Sequence, residues 1–372
     1  MQRTIKEVFE GIPDYRKGNA IRHNLADILM IGLLTIICNG NEYAAMVVFG
    51  KVHEKLLREF LELPHGIPSE DTFERVFSKL NAKVLAVQFQ QWLEEIKGLI
   101  TVAIDGKTIR RSKSAGKKAK HVVTAFASEL QLVLGQLAID EKSNEITAIP
   151  ELLEMFCQKG MVITIDAMGT QREIAKKVIE KGADYVLALK GNQEALFEDV
   201  SLFLDNEVVG EDKETLHEKG FYEKTIEKGH GRIETRECFI WPEIGWLSDA
   251  DKWAGLNGIG VIVSKREEIG KEMTTARNYF IYSQKDATAP ELLRIKRAHW
   301  AIENNLHWTL DVTFREDEAR ARLENAAENL NILRKQALQL MKQDTSVKGS
   351  MKSKRLLCAW NIFYALKVIG VK

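Results

Sequence analysis

The sequence predicts an α/β fold in which a mixed sheet is interrupted by a mainly antiparallel β segment and preceded by an all-helical region. Three observations carry this prediction. Two β-branched runs end in a carboxylate, ITVAID at Asp105 and MVITID at Asp166. Between 100 and 200, short strand-like runs alternate with helical periodicity. The stretches 1–95 and 289–345 read as helical throughout, the second carrying Glu303.

Composition bounds the answer. With 372 residues, 45% of them hydrophobic, the chain is long enough for two or three domains with sizeable cores. Lys plus Arg and Asp plus Glu both number 53, so there is no global cationic field, and affinity for nucleic acid has to come from local clusters. Cys38, Cys157, Cys238 and Cys358 have no paired spacing, which argues against zinc and against a disulfide framework and fits a reducing cytoplasm. The longest apolar run, LADILMIGLLTIICNG from Leu25, contains Asp27, is too short to span a bilayer comfortably and lacks a small-residue cleavage site. It reads as a core helix, with no membrane partner.

The elements follow in order. In 1–95, the run from Leu25 is apolar nearly all round. A helix at 44–61 is joined through Leu63-Pro64-His65-Gly66-Ile67-Pro68 to one beginning near Glu70, with Ser69 placed to cap it. Phe73, Val76, Phe77 and Leu80 form its apolar face, and Arg75 and Lys79 point outward. The pair suits helix-turn-helix DNA recognition, and equally two packed helices of a bundle.

In 96–200, strands are expected at 101–105, 120–127, 131–139, 162–166 and 185–189, with helices after Pro150 and at 171–181. Three strands, then helix, strand, helix and strand, is the order of an RNase H-like sheet. The first and fourth strands are neighbours in that fold, so Asp105 and Asp166 converge.

In 201–288, acidic helix-like sequence leads into alternating runs with turn glycines, including GHGRIETRECFIW, which reads as an antiparallel insertion within the catalytic fold. Gly255, Gly258 and Gly260 have the wrong spacing for a dinucleotide loop, and no helix follows. In 289–345, one helix opens after Pro290 and runs through Glu303, and a second spans about 319–341. The segment 346–372 begins basic and flexible and ends apolar, packing back on the body.

Two strand-end aspartates and a helical glutamate are what a two-metal phosphodiester site requires. Taken singly, each aspartate is as well explained as a turn residue. Glu303 competes with Asp311, Glu316, Asp317 and Glu318, and with a buried ion pair to Arg297. Helical spacing favours it: His299, Glu303 and His307 share one stripe flanked by Trp300 and Trp308, on a helix otherwise expected to be buried. The spacing is not that of a zinc helix, and hard oxygen ligands suit Mg²⁺ or Mn²⁺, as two ions.

Seven basic residues and no acidic one lie between Lys107 and Lys120, either a phosphate-binding loop or a solvated hairpin tip. Arg232 and Arg236 share one face of a strand. Trp246 and Trp253 read as core more than as base-stacking wedges.

Five stretches are similar to the H-repeat-associated insertion-sequence transposases, a branch of the DDE transposases with an RNase H-like core: GIPSEDTFERVF, AIDGKTIR, TIDAMGTQREIA with its trailing DYVLALKGNQ, HGRIETR, and RAHWAIENNLHWTLDVTFREDEAR. The resemblance implies that Asp105, Asp166 and Glu303 are the catalytic, metal-holding triad. It also implies that the substrate is double-stranded DNA at the ends of a mobile element, cleaved and transferred to a target by a homo-oligomer formed on DNA. The residues expected at the DNA are Lys107, Arg110, Arg111, Lys113, Lys190, Arg232, Arg236, Arg297, His299 and His307. One departure stands out: where related branches carry Tyr, Arg and Lys around the glutamate, this chain has Lys296, His299 and Leu310, leaving Arg294, Arg297 and His307 to substitute. Two other functions compete, a nuclease of the same fold without strand transfer and a decayed, non-catalytic DNA-binding protein. Intact carboxylates in all three motifs argue against the second.

Overall fold

The computed structural model describes residues 4–18, 21–92, 100–113, 116, 118–139, 145–229 and 231–371. Five helices come first: α1 (Ile5–Glu10), α2 (Leu25–Ile37), α3 (Tyr43–Leu57), α4 (Glu70–Lys79) and α5 (Ala82–Trp92). In α2 every residue except Ala26 is buried, as its lack of a polar face requires. Its one carboxylate, Asp27, accepts the Leu63 N–H at 2.9 Å, and burial pushes its pKa up. Ser69 stands at the N-cap of α4 as expected, but its hydroxyl meets that of Thr72 at 3.0 Å and caps no backbone N–H. The outward residues of α4 are of mixed charge, including Asp71, Glu74, Arg75 and Lys79.

One nine-stranded sheet follows, in the order β3-β2-β1-β4-β5-β9-β8-β7-β6. The first half reproduces the expected RNase H-like order. β1 (Ile100–Thr108), β2 (His121–Ala127) and β3 (Leu132–Ile139) form an antiparallel meander, and after α6 (Glu145–Phe156) β4 (Met161–Ile165) pairs parallel to β1. After α7 (Arg172–Glu180), β5 (Asp184–Leu189) pairs parallel to β4. α6 starts ahead of Pro150 and not after it, with the proline inside the helix.

The segment up to 288 holds α8 (Glu194–Phe203), a π-helical turn at Leu204–Val208, α9 (Lys213–Glu218), β6 (Tyr222–Gly229), β7 (Arg232–Trp241), β8 (Gly258–Glu268) and β9 (Thr274–Tyr282). Its four strands are antiparallel, and they extend the same sheet because β9 pairs with β5.

α10 (Ala289–His299) runs on through two π-helical stretches, Ile302–His307 and Thr309–Thr313. The next long helix, α11 (Ala326–Gln343), begins later than the 319 expected, since the chain turns at Arg315 with a left-handed backbone (φ 52°) and forms a short 3₁₀ turn at Glu316–Glu318. In the C-terminal segment residues 344–350 are irregular and the rest is helical, as α12 (Met351–Trp360) and α13 (Ile362–Val368). Arg355 is buried there, donating to the Ile36 carbonyl at 2.7 Å and lying over the Phe314 ring at 4.2 Å.

The sheet separates two main apolar cores. Ala103 and Phe126 face the N-terminal helices, the π-helical segment and α11, whereas Val102 and Ile104 face α6 and α7. The N-terminal helices therefore share a core with β1, β2, the π-helical segment and α11. Asn329 of α11 donates to the last carbonyls of α4, at Phe77 (2.7 Å) and Leu80 (2.9 Å).

Candidate active site

Alternation along β1 and β4 decides which side chains reach the site. Thr101, Ala103, Asp105 and Lys107 share one face of β1, and Val162, Thr164 and Asp166 share the matching face toward α10. Ile104 pairs in parallel register with Ile165, so the next residues, Asp105 and Asp166, emerge side by side on strands about 4.8 Å apart.

The loop after β4 is braced at every turn. Gly169 N–H donates to Asp166 Oδ1 at 3.1 Å, and the Thr170 hydroxyl lies 3.1 Å from the Asp166 carbonyl and 2.6 Å from that of Ala188. Asn192 donates to the Ala167 carbonyl at 2.6 Å and Gln193 to that of Thr170 at 3.0 Å. A Cβ at Gly169 would collide with Ile165 Cγ2, so the loop's tight return needs glycine. Gly106 has the same requirement on the other face of β1, where a Cβ would strike His121 Nε2 and Glu145 Oε1, a buried pair joined at 2.6 Å.

The helical segment lies along these strands like a ruler. His299 Nδ1 is 2.9 Å from Thr164 Oγ1, His307 Nδ1 is 3.4 Å from Asp105 Oδ2, and Asp311 Oδ1 is 2.7 Å from Lys107 Nζ. Glu303 falls between the first two contacts, at the level of the paired aspartates. It is exposed, and with Asp166 it lines a cavity of about 350 Å³. Trp300 and Trp308, expected on a buried helix, are 47% and 58% exposed. The wider π turn still keeps residues four apart on nearly one side, which preserves the stripe.

Burial pushes the Asp105 carboxyl up, but the His307 hydrogen bond and the nearby imidazoles outweigh it, holding Asp105 below the usual carboxylate range. Burial and the charge of Lys296 push His299 down to about 4, against Asp105, so its imidazole is neutral at neutral pH. Burial and Lys190 push Lys296 down to about 8.

Asp105 and Asp166 offer hard oxygen donors that fit a divalent cation of the magnesium class. Among the described residues no three carboxylate, imidazole or thiol groups stand close enough together to hold one ion. Glu303, on the cavity wall, is not close enough to the two aspartates to complete such a set.

The expected DNA-contacting residues divide sharply. Lys107 is not a surface cation: its side chain is 10% exposed and its ammonium is 2.7 Å from both Asp311 and Glu316. Glu316 is fully buried, with Asn331 donating at 2.8 Å and the Arg334 guanidinium 3.7 Å away as an ion pair. Burial pushes its carboxyl up, yet Lys107 and Arg334 prevail and bring it down to about 2. Of the carboxylates that competed with Glu303, Asp311 and Glu316 are thus paired inside the protein, Asp317 lies 3.4 Å from Arg110, and Glu318 pairs with Arg315.

Arg110, Arg111 and Lys113 are exposed, and Lys117 of the same run lies outside the described residues. Arg232 and Arg236 do share a side, both pairing with Glu234, but Arg236 is buried and also holds Glu227 at 2.9 Å. Arg297 pairs with Glu227 and not with Glu303, and Lys190 is exposed at the cavity. Trp253 is core, while Trp246 lies at the surface 4.4 Å from the Phe203 ring.

Sequence reasoning treated Lys296 only as a departure from a pattern, and it missed Arg277 and Tyr279, all of which line the cavity. The signal for Lys296 was its place on the helix face of His299 and Glu303. Nothing local marked the residues of β9.

Comparison with known proteins gives a consistent picture. The family model described as Transposase DDE domain matches residues 97–340, and the model described as DDE_Tnp_1-associated matches residues 6–93. YncI of Escherichia coli O157:H7, a protein named as a transposase, is 39% identical over 376 residues, 96% of this chain and 92% of its own. The H repeat-associated protein YhhI of Escherichia coli strain K12, also named as a transposase, is 37% identical over 372 residues, 96% of each chain. A solved piggyBac transposase synaptic complex with hairpin DNA gives a TM-score of 0.45 at 10% identity, over 98% of this chain and 75% of that one, too remote a likeness to argue from.

Proposed function

We propose, from the premise that this chain belongs to the transposase DDE domain family, that it cuts DNA at the ends of an insertion sequence and transfers the cut strand to a target. The observation that carries the reading is the parallel Ile104–Ile165 register, which sets Asp105 beside Asp166 with Glu303 on the wall of the same cavity. Asp105 and Asp166 would hold divalent metal, magnesium or manganese and two ions by the demands of the reaction, with Glu303 joining them from the cavity wall. When bound, such ions activate the attacking water or 3′-hydroxyl and stabilise the leaving oxygen.

The protein's own part is positioning. His307 orients Asp105, the Gly169 N–H and Thr170 fix the Asp166 loop, and neutral His299 is anchored on Thr164. The exposed Arg110, Arg111 and Lys113 meet the phosphate backbone near Asp105. Joining two element ends calls for more than one copy of the chain on DNA. No described helix is long and apolar enough to cross a membrane.

The test is cleavage of duplex carrying the element's terminal repeats. Purified protein cuts it with Mg²⁺ or Mn²⁺ and is silent in EDTA, and full activity in chelator overturns the metal mechanism. Joining of paired ends to a target plasmid separates a transposase from a nuclease of the same fold.

A further inference from the structure

We infer that the outer face of α12 and α13 binds single-stranded DNA, with Lys352 and Lys367 on its phosphates and Trp360 and Phe363 stacked on its bases. This rests on the reading of the chain as a DNA-processing enzyme and gives it a second contact surface, built from other elements than the cavity beside Asp166.

The sequence supplies the charge. No Asp or Glu follows Asp344, whereas Lys348, Lys352, Lys354, Arg355, Lys367 and Lys372 all do. Two of these turn inward, Lys354 onto the Met341 carbonyl at 2.9 Å and Arg355 onto that of Ile36. Lys348, Lys352 and Lys367 are exposed and form no ion pair with any described residue. Cations left unanswered on one surface attract a polyanion.

Helical spacing supplies the pattern. Lys352, Leu356 and Trp360 recur every four residues on one side of α12, and Phe363 and Lys367 do the same on α13, beyond the turn at Asn361. A cation therefore stands toward each end and two rings lie between them, along about 20 Å of helix. Trp360 is 80% exposed and Phe363 69%, more than any other described aromatic side chain, and no described residue covers them. Rings with free faces match unpaired bases, which offer faces of their own, and not a duplex, whose bases already cover one another. A basic track set with aromatic platforms is how single strands are held without sequence preference. A second copy of the chain fits less well, because a symmetric contact sets this basic face against itself with no acidic side chain to oppose it.

The experiment uses full-length protein in EDTA, so that binding is read without cleavage. Anisotropy is measured on a labelled oligothymidylate of about 16 nucleotides and on a random duplex of equal length. The double variant Trp360→Ala/Phe363→Ala is expected to bind the single strand at least about 10-fold more weakly, which is what one lost base stack is worth, and the duplex within about two-fold of wild type. Lys352→Ala/Lys367→Ala should lower the slope of log affinity against log salt by ~0.7 for each phosphate no longer neutralised. All four side chains are exposed, so neither variant disturbs the fold. Wild-type protein with no affinity for the oligothymidylate, or an aromatic variant that binds it as wild type does, overturns the inference. So does an aromatic variant that keeps strand binding and loses sedimentation with phosphatidylserine vesicles or self-association, since either result gives the face another occupant. Protein that cuts element-end duplex with Mg²⁺ and ignores the single strand sinks this surface and leaves the transposase reading standing. Strand binding through this face without any cleavage does the reverse.

Discussion

Around Lys107 and around Asp166 the same strand pair and the same helical segment gather charges, and they use them in opposite ways. At Lys107 the ammonium is enclosed by Asp311 and Glu316, with Arg334 and Asn331 behind, and almost no surface remains. At Asp166 the cavity is open, Glu303 is exposed, and two lysines face it without ion-pair partners among the described residues. The first cluster fastens the helical segment to β1. The second holds its charges ready for something from outside. Nearness to a strand-end aspartate is therefore a poor guide to function, because Lys107 is two residues from Asp105 and is structural.

The contrast breaks most visibly at Glu303. Glu303→Gln removes a charge at an exposed position, so cleavage of element-end DNA is expected to fall about 10⁴-fold, ~5 kcal/mol of barrier, with the melting temperature unchanged. An active Glu303→Gln paired with an inactive Asp317→Asn would move the third ligand to the other cluster. Lys107→Met is the mirror experiment. It strands Glu316 in a buried site, and urea denaturation should show a loss of about 3–5 kcal/mol, with DNA binding by the folded fraction retained.

Acid provides a finer test of the closed cluster. The folded pKa of Glu316 lies below its unfolded value, so its contribution is complete above pH 4.5 and is lost as the pH falls toward about 2. A shift of this size corresponds to ~3 kcal/mol. Wild-type stability should drop steeply between pH 5 and 2 (on the order of that figure), and Glu316→Gln should flatten the drop. An unchanged pH profile would mean that Lys107 and Arg334 are not charged partners.

Smaller effects belong to the exposed rim. Replacing Arg110, Arg111 and Lys113 with alanine should lower the slope of log affinity against log salt by about one for every phosphate that is no longer neutralised. Asp317→Asn breaks only the solvent-facing pair with Arg110, and should cost less than about 1 kcal/mol and leave cleavage largely intact.

The amino-acid sequence alone determined the strands of the first half of the sheet, the two strand-end aspartates and the buried α2, because period-2 and all-apolar patterns are local consequences of one face meeting a core. It also singled out Glu303 through the spacing of His299 and His307. Tertiary structure decided the fate of the charges. Composition cannot tell that Lys107, Arg236 and Arg355 turn inward: Lys107 and Arg355 are held far along the chain, at Glu316 and Ile36, and Arg236 across its own hairpin, at Glu227. Nor does it announce the cavity, whose walls come from β5, β7, β8, β9 and α10 and exist only once β9 has paired with β5. Periodicity says which side chains share a face. What covers that face, and hence whether a charge is neutralised or left waiting, is fixed by contacts between residues distant in sequence.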